Sequence, residues 1–552
     1  MHSRCSTERP RDAQATAHST RSSHNPLEPA GGYAHRSPDQ TALHRTIGEQ
    51  LEPFLSRARA RERPAPRFVE QELRALLRCG ILAHGFLRLH CDECGHDRLV
   101  AFSCKRRGFC PSCGGRRMAD TAAHLVDHVL PEVPVRQWVL TLPYPLRYRC
   151  AHDARLTSEV LRAFLGALFA ELRRRVWRHW GRRADQCGAV TFIQRFGSAL
   201  NLNVHFHTLA LDGAYLHAVG DPAAPRFFPV PPPSRDDVAR VLAATARRLH
   251  RLLEARADGD DDAIARDEPL LALLAAASLR TRLASGPHTG ECWRRLGDRV
   301  EPAEAREDPD ASPRVPEHGG MSLHAEVAVP ARDRRRLERL CRYVARPPLA
   351  NDRLEEQPDG RLALRLKTRW RGGTTHVLME RSELIDRLVP LIPPPRAHQV
   401  RYHGILAPCA SQRSQVVPAT PPGIETVARA PEATATDTAV VANDARGPSE
   451  SNRAEPCVIP PADTSARRTR WAALLQRVFA VDALRCPCCG STLRLLAAIE
   501  DPATARRILE CIGLPARAPP TSAPPPSDGP FEPAPDPAEH GNFDQTPAYE
   551  EP

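Results

Sequence analysis

Two pairs of cysteines constrain the N-terminal part of the chain more than any other feature of its sequence. Cys91 and Cys94 are separated by two residues, as are Cys110 and Cys113, and fifteen residues lie between the pairs. A Cys-x2-Cys turn presents two thiolates on one small knuckle, and two knuckles supply the four soft ligands that tetrahedral zinc prefers. The spacing therefore predicts a structural Zn2+ site formed by Cys91, Cys94, Cys110 and Cys113.

Three neighbouring residues are alternative ligands for this site. Cys104 lies between the two pairs, and His90 and His96 lie beside the first pair. Any of them could replace one of the four cysteines, although a lone cysteine such as Cys104 is also typical of a small buried residue. A closed sphere of four thiolates leaves no position for a reactive water, so the predicted role of the zinc is structural.

Basic residues surround the cysteines and dominate the charge of the chain. The 552 residues carry a formal net charge of +11, which is a mild indication of a nucleic-acid partner. We expect the basic side chains near the cysteines to face a phosphate backbone, and the alternative is a solvated basic surface. They are Lys105, Arg106, Arg107, Arg116 and Arg117.

The sequence also indicates a compartment. We find no apolar run long enough to span a membrane and no N-terminal apolar region of the kind that secretory signals contain. We therefore expect a cytoplasmic protein with no membrane partner. In a reducing cytosol the closely spaced pairs among its 17 cysteines are metal ligands rather than disulfides.

Composition and hydrophobic periodicity divide the chain into segments. The cysteine-rich domain is followed by a larger domain of mixed strands and helices, in which 136–147, 189–196 and 201–211 are predicted strands. The predicted segments are 1–45 (disordered), 65–130 (cysteine-rich domain), 134–408 (larger domain, with an insertion at 218–320), 410–465 (disordered linker), 466–515 (small C-terminal module) and 516–552 (disordered tail).

Two histidines share one face of a predicted strand. His205 and His207 are two residues apart in NLNVHFHTLAL, so both imidazoles point to the same side of the sheet. That geometry suits two nitrogen ligands of one divalent metal. The alternative is a pair of ordinary exposed strand histidines.

A tyrosine on a predicted helix is the candidate nucleophile. In RRRLERLCRYVARPP (334–348), Tyr343 lies beside the apolar face, and Arg339 and Arg346 are its neighbours on the helix surface. Guanidinium groups next to a tyrosine could hold a phosphate while the phenol attacks it. The alternative is a half-buried tyrosine at the end of a helix.

Several segments, in this order, resemble those of one family. They are FSCKRRGFCPSCGGRRMAD, PVRQWVLTLPYPLR, QRFGSALNLNVHFHTLALDGAY, CRYVARPPLANDRL, KTRWRGGTTHVLMERSELIDRL and RYHGILAP, with WAALLQRVFAVDALRCPCCG near the C-terminus. Together they are similar to the HUH-type rolling-circle insertion-sequence transposases that carry an N-terminal transposase zinc-binding domain. The similarity covers roughly residues 65–410 and makes 134–408 the catalytic domain.

The resemblance implies an enzyme of DNA transposition and recombination. Its DNA substrates would be single-stranded element ends and target DNA. His205 and His207 would hold Mg2+ or Mn2+ against the scissile phosphate, and Tyr343 would form a 5′-phosphotyrosine link with Arg346 positioning the phosphate. The third metal ligand is not evident, and Gln194 is a candidate. Only one tyrosine lies on this helix, which favours the single-tyrosine subgroup.

The implied fold class is α/β, or α+β: an HUH endonuclease-like antiparallel sheet with packed helices, preceded by the small zinc-knuckle domain. Alternative functions are a plasmid replication initiator or relaxase of the HUH class, or a non-catalytic zinc-dependent DNA-binding remnant. The pair Cys486-x2-Cys489 has no obvious partner pair, so we expect a structural or vestigial knuckle there rather than a second full zinc site.

Overall fold

Helices and antiparallel sheets alternate along the chain, as expected from a mixed helix and strand pattern. The computed structural model describes residues 36–216, 225–256, 263–297, 316–370, 373–418, 471–479 and 482–522. The α-helices within these ranges are α1 (Ala42–Ala60), α2 (Arg67–Arg78), α3 (Pro111–His128), α4 (Tyr144–His152), α5 (Ala154–Trp180), α6 (Arg235–Glu254), α7 (Ala263–Asp267), α8 (Pro269–Leu279), α9 (Arg334–Val344), α10 (Arg381–Leu388), α11 (Arg413–Val416), α12 (Trp471–Phe479) and α13 (Pro502–Cys511).

The strands form four sheets in the described part of the chain, and every strand pair is antiparallel. The strands are β1 (Phe86–His90), β2 (Asp97–Ala101), β3 (Val135–Thr141), β4 (Gly188–Phe196), β5 (Leu202–Leu211), β6 (Gly213–Leu216), β7 (Arg226–Pro229), β8 (Arg294–Gly297), β9 (Glu317–His318), β10 (Met321–His324), β11 (Ala328–Val329), β12 (Leu354–Glu356), β13 (Leu362–Arg365), β14 (Thr374–Met379), β15 (Val400–Gly404) and β16 (Arg494–Ile499).

The largest sheet has the order β15-β4-β5-β3-β10-β9, with β11 also paired to β3. Strand β5 lies near its centre and is buried on both faces. Because side chains alternate along a strand, Phe206 packs with the long helix α5 on one face, whereas Leu209 and Leu211 pack with α3 and α9 on the other. The predicted antiparallel sheet with helices packed against it is confirmed.

Helices α3 and α9 pack against each other on that second face. Leu337, Leu340, Cys341 and Val344 are buried at the spacing of one helix face, and they meet the buried side of α3. Arg334 at the start of α9 donates from Nη2 to the carbonyl of Leu130 at 2.9 Å, just beyond the end of α3. The first residues of α9 thus satisfy backbone acceptors that the end of α3 leaves free.

The C-terminal residues return to the N-terminal domain. Strand β16 pairs with β1, so that β1 lies between β16 and β2 in a three-stranded sheet. Behind this sheet, α13 buries Ala505 and Leu509 against Phe86 of β1. Two segments separated by about 400 residues of sequence therefore form one small structural unit.

Most of the predicted elements agree with the structure. Strands β4 and β5 confirm the predictions for 189–196 and 201–211, and α9 confirms the tyrosine helix. The predicted strand 136–147 is wrong after Thr141, because Pro143 precedes a helix and the ring of Pro145 fits its first turn, where no backbone N–H is needed.

The predicted domain boundaries fall partly outside the described residues. Residues 1–35, most of the linker 410–465 and the tail beyond residue 522 lie outside them, as do parts of the insertion. At the N-terminus the prediction of disorder over 1–45 extends too far, because α1 begins at Ala42, where Thr41 accepts a hydrogen bond from the His44 backbone N–H as N-cap. None of the helices in the described ranges combines the length and the apolar character that crossing a membrane requires.

Shortening a side chain at the contact between α3 and α9 should destabilise the protein. Leu125 of α3 is fully buried there, so Leu125→Ala should lower the free energy of unfolding by about 2–5 kcal/mol. Urea unfolding followed by circular dichroism measures this loss. Leu296→Ala is the matched control, because Leu296 is 52% exposed and its loss should cost less than about 0.5 kcal/mol. Equal effects of the two substitutions would contradict the described packing.

Candidate active site and metal centres

The two predicted histidines lie side by side on the central strand of the largest sheet. In β5, His205 is opposite Gln194 of β4, and His207 is opposite Phe192. Both imidazoles occupy the face that α9 covers, and they are 9% and 2% exposed, respectively. The alternative of two exposed strand histidines is therefore wrong.

The spacing of the two imidazoles fits a shared cation. Their Nε2 atoms are 3.1 Å apart. Two nitrogens that each lie about 2.1 Å from one metal, at right angles, are about 3 Å apart. The same distance suits a hydrogen bond between the two rings, so either one proton or one cation can lie between the Nε2 atoms.

Second partners orient both rings. His205 Nδ1 lies 2.9 Å from the backbone oxygen of Asn203, so Nδ1 carries the proton and Nε2 has a free lone pair. Gln137 Nε2 lies 2.6 Å from His207 Nδ1 and donates to it, so the neutral His207 ring carries its proton on Nε2 and can donate it to His205 Nε2. A metal at this pair would require the Gln137 amide to turn over, so that its oxygen accepts from His207 Nδ1 and Nε2 becomes a ligand.

Burial keeps both imidazoles neutral. It lowers the pKa of His205 to about 4, and the positive charges of Arg346 and Arg147 act in the same direction. Burial also lowers the pKa of His207 well below its usual value, followed by the effects of His205 and Arg346. At neutral pH both rings are therefore in the form that can bind a metal.

Gln194 presents an unsatisfied oxygen in the same region. Its Nε2 donates to the backbone oxygen of Val344 at 2.7 Å, whereas its Oε1 is buried without a hydrogen-bond partner in the described structure. Among the described residues, no cysteine or carboxylate lies close enough to complete a three-ligand group with His205 and His207. This buried, unpaired carbonyl oxygen opposite His205 is one candidate for a third ligand atom, and the buried, unpaired Oδ1 of Asn203, two residues before His205 in β5, is another.

Tyr343 faces the histidines from α9. The centroids of the Tyr343 and His207 rings are 6.1 Å apart, with the ring planes nearly perpendicular. The contact depends on helix periodicity, because Leu340 and Val344 are buried on either side of the half-buried tyrosine. The structure therefore brings together three of the predicted active-site residues, from β5 and α9.

Two cations cover the tyrosine ring. The guanidinium carbon of Arg346 lies 4.4 Å from the ring centroid, and Lys367 Nζ lies 4.2 Å from it. Arg346 Nη1 is buried without a hydrogen-bond partner among the described residues. Arg339, the other predicted neighbour, is exposed. The sequence does not predict a role for Lys367, because it follows Tyr343 by 24 residues and reaches the ring only through the fold.

The cysteines form two clusters instead of the single predicted site. The first comprises Cys79, Cys104, Cys110 and Cys113 (the N-terminal cluster), and the second comprises Cys91, Cys94, Cys486 and Cys489 (the composite cluster). In each cluster the four Sγ atoms all lie within 4.8 Å of one another.

The prediction of one site formed by Cys91, Cys94, Cys110 and Cys113 is therefore corrected. The two Cys-x2-Cys pairs are both used, but each closes with other partners: Cys110 and Cys113 with Cys79 and Cys104, and Cys91 and Cys94 with the C-terminal pair. His90 is not part of either cluster, since its Nδ1 lies 2.8 Å from an oxygen of Asp97. The reading of Cys104 as only a small buried residue is also wrong.

The N-terminal cluster has the dimensions of a four-thiolate zinc site. Its Sγ–Sγ distances include 3.7 Å for Cys79 to Cys113, 3.4 Å for Cys104 to Cys113 and 3.7 Å for Cys79 to Cys110. A zinc–sulfur bond of about 2.3 Å implies about 3.8 Å between tetrahedral ligands. Cys110 is the N-cap of α3 and Cys113 lies in its first turn, so the cluster is built into the start of that helix.

The N-terminal cluster can be tested through the ligand that the spacing rule omits. Cys79→Ser should remove about one zinc per chain, because a three-thiolate site binds the metal less tightly. Metal content of the purified full chain, measured by inductively coupled plasma mass spectrometry, reports this change. His96→Ala is the control and should leave the zinc content unchanged. Loss of zinc in His96→Ala but not in Cys79→Ser would reject the cluster.

Comparisons with known proteins agree with this two-part architecture. Residues 188–415 match the family model described as "Putative transposase", and residues 50–142 match the model described as "Transposase zinc-binding domain". The first match contains His205, His207 and Tyr343, and the second contains the whole N-terminal cluster. Neither a curated protein nor a solved structure matches the chain significantly.

The two matches cover more than half of the chain and occur in the order that the sequence predicts. Together with the cysteine clusters, the second match supports Zn2+ as a cofactor. The transposase domain implies DNA as the substrate. The chain therefore belongs to the transposase family that joins a zinc-binding domain to this transposase domain.

Proposed function

We propose that this transposase cuts and transfers single-stranded DNA through attack of Tyr343 on a scissile phosphate at the His205–His207 pair. The observation that carries the proposal is the meeting of Tyr343 with His207, at 6.1 Å between ring centroids, beneath two cationic side chains. A phenol, a pair of metal-binding imidazoles and phosphate-binding cations are the groups that metal-assisted phosphodiester cleavage needs.

The residues around the histidine pair fit Mg2+ or Mn2+. Two neutral imidazoles with Nε2 atoms 3.1 Å apart and the unpaired Oε1 of Gln194 would supply three ligand atoms. The amide oxygen suits either cation, whereas imidazole nitrogens are softer ligands than Mg2+ prefers and are better matched to a transition metal such as Mn2+. Either cation keeps further positions for water or phosphate oxygens. A bound divalent cation would withdraw charge from the scissile phosphate and stabilise the negative charge that develops during attack.

The proposed reaction is a transesterification. The phenolic oxygen of Tyr343 forms a bond to phosphorus as the bond from phosphorus to the 3′ oxygen breaks. The phenol loses its proton to solvent and the departing 3′ oxygen takes one up. The products are a 5′-phosphotyrosine link and a free 3′-hydroxyl, and the covalent link retains the energy that later strand joining needs.

Arg346 and Lys367 would hold the phosphate during this step. Both lie against the Tyr343 ring, and Arg346 has a buried N–H group without a partner in the described structure. A phosphate oxygen would satisfy that group with a charge-assisted hydrogen bond. Because the two cations approach the ring at similar distances, we assign them the same function of positioning the phosphate near the phenol.

The zinc of the N-terminal cluster would have a structural function. Four thiolates complete a tetrahedral sphere, which leaves no open position for DNA or water. The cluster fixes the start of α3, and α3 supports the tyrosine helix α9. Zinc at Cys79, Cys104, Cys110 and Cys113 would thus act on catalysis only through the position of α9.

The family match favours transposition over the related replication and relaxase functions, because both matched domains are transposase domains. We therefore expect the substrates to be the single-stranded ends of the element and its target DNA. A non-catalytic remnant of such an element has no need for the close arrangement of Tyr343, His205 and His207.

Replacing Tyr343 should abolish covalent attachment to DNA. Tyr343→Phe keeps the ring and its packing but removes the attacking oxygen, so no protein–DNA adduct should form. Single-stranded oligonucleotides from the DNA flanking each end of the gene, labelled at their 3′ ends and incubated with Mn2+, would reveal the adduct on a denaturing gel. Tyr402→Phe, on β15, should keep it. An adduct of undiminished yield in Tyr343→Phe would reject the assignment, and no adduct with the wild type would favour a non-catalytic protein.

Removing the side-chain amide of Gln194 should weaken the binding of the proposed catalytic metal. Gln194→Ala should raise the Mn2+ concentration for half-maximal cleavage about tenfold or more, because one of three protein ligands is lost. Titration of cleavage against Mn2+ measures this shift. Gln186→Ala is the control. Gln186 lies close to the same sheet but outside the site, so this substitution should leave the titration unchanged. An unchanged titration in Gln194→Ala would exclude Gln194 as the third ligand.

A further inference from the structure

We propose that the composite cluster is a second zinc site, which fastens the C-terminal segment 482–522 to the N-terminal zinc-binding domain. Cys91 and Cys94 come from the turn between β1 and β2, and Cys486 and Cys489 come from the turn before β16. The segment 482–522 lies outside both family matches, so its attachment is a property of this chain beyond the matched domains.

The distances within the composite cluster fit zinc rather than disulfides. Sγ of Cys91 lies 3.4 Å from that of Cys489, and Sγ of Cys94 lies 3.5 Å from that of Cys486. A disulfide requires about 2.05 Å between sulfurs, whereas tetrahedral zinc places them about 3.8 Å apart. All four cysteines are free. Each cysteine of one Cys-x2-Cys turn thus approaches a cysteine of the other turn, as the four ligands of one zinc ion do.

The two turns have the same backbone structure. The N–H of Gly95 donates to the oxygen of Cys91 at 2.9 Å, and the N–H of Gly490 donates to that of Cys486 at 3.0 Å. The N–H of each first cysteine donates five residues ahead, from Cys91 to His96 and from Cys486 to Ser491.

A glycine with positive φ closes each turn, Gly95 at 73° and Gly490 at 79°. An L residue with a side chain rarely adopts this conformation, so the glycine has the same function in both turns. The hydrogen bonds and the glycine together hold each pair of thiolates on one side of its turn. Two turns with the same backbone structure face each other and bring four sulfurs together. This repeated geometry indicates a metal site and not a chance approach of two loops.

Contacts around the composite cluster hold the two turns in register. Cys91 and Cys486 are buried together with Leu89 and Leu493. Arg98 of β2 donates from Nη1 to the oxygen of Ala483 at 2.7 Å, and Arg494 forms an ion pair with Asp92 at 2.5 Å. Each side of the cluster thus binds the other through groups besides the cysteines.

The size of the remaining interface explains why a metal is needed there. The sheet formed by β16 and β1 is small, and α13 adds only a few buried apolar side chains. Cys94 and Cys489 are exposed, so the cluster has little apolar cover of its own. A small unit of this kind gains its folding free energy from the metal, as other zinc-dependent modules do.

Metal content of the full chain tests the proposal. The wild type should bind two zinc ions per chain, and Cys486→Ser/Cys489→Ser should bind one, which also shows that the N-terminal cluster remains folded. Cys488→Ser is the matched control, because Cys488 is exposed in the same turn but outside the cluster, and it should bind two. One zinc in the wild type, or two in the double variant, would overturn the proposal.

A second measurement tests the fastening. With a protease recognition sequence inserted between residues 418 and 471, the cleaved wild type should elute from a sizing column with its C-terminal fragment bound. The fragment should separate in Cys486→Ser/Cys489→Ser and stay bound in Cys488→Ser. A fragment that stays bound in the double variant would show that the metal does not hold it. Neither measurement involves DNA cleavage, so failure here would leave the proposed Tyr343 chemistry untouched.

Discussion

The contact between α3 and α9 is the interaction on which the rest of the architecture depends. Its buried side chains, among them Leu125, Leu337 and Leu340, fix the tyrosine helix over the central sheet. A tyrosine can face two buried imidazoles only if its helix is held at one height and one rotation, because a shift of a single residue turns a helical side chain by about 100°. Apolar packing supplies this constraint along the helices, and the N-terminal cluster and Arg334 supply it at their ends.

Both neutral and cationic groups surround Tyr343. The buried imidazoles are neutral, since burial lowers their pKa values, whereas the cationic side chains of Arg346 and Lys367 lie against the Tyr343 ring. Holding two cations close together costs less free energy when an anion is near. Within the described residues, Arg346 and Lys367 lie against an aromatic ring instead of a carboxylate. These two cations therefore favour a ligand that brings its own negative charge, as the DNA backbone does.

Local patterns in the sequence predicted the parts of this protein, and the fold decided how they join. Period two placed His205 and His207 on one face, and helix periodicity placed Tyr343 beside an apolar stripe, because both depend only on near neighbours. The pairing of the Cys-x2-Cys turns cannot be predicted from near neighbours. Zinc can bind any two such turns, and the C-terminal partners of Cys91 lie almost 400 residues away. Lys367 and Cys79 could not be found by spacing for the same reason. The helix after Thr141 was missed for another reason. Pro143 and Pro145 are compatible with the start of a helix, but the apolar residues around them also suit a strand.

The position of β1 has a consequence for the time course of synthesis. Strand β1 becomes a central strand only when β16 adds to it, and residue 499 follows residue 90 by roughly 400 positions. At about 5–20 residues per second, a ribosome needs about 20–80 s to produce the missing strand. During this interval one edge of β1 presents unpaired backbone groups, which attract other strands. A message truncated before β16 would therefore yield a chain that contains His205, His207 and Tyr343 but whose first sheet keeps an open edge.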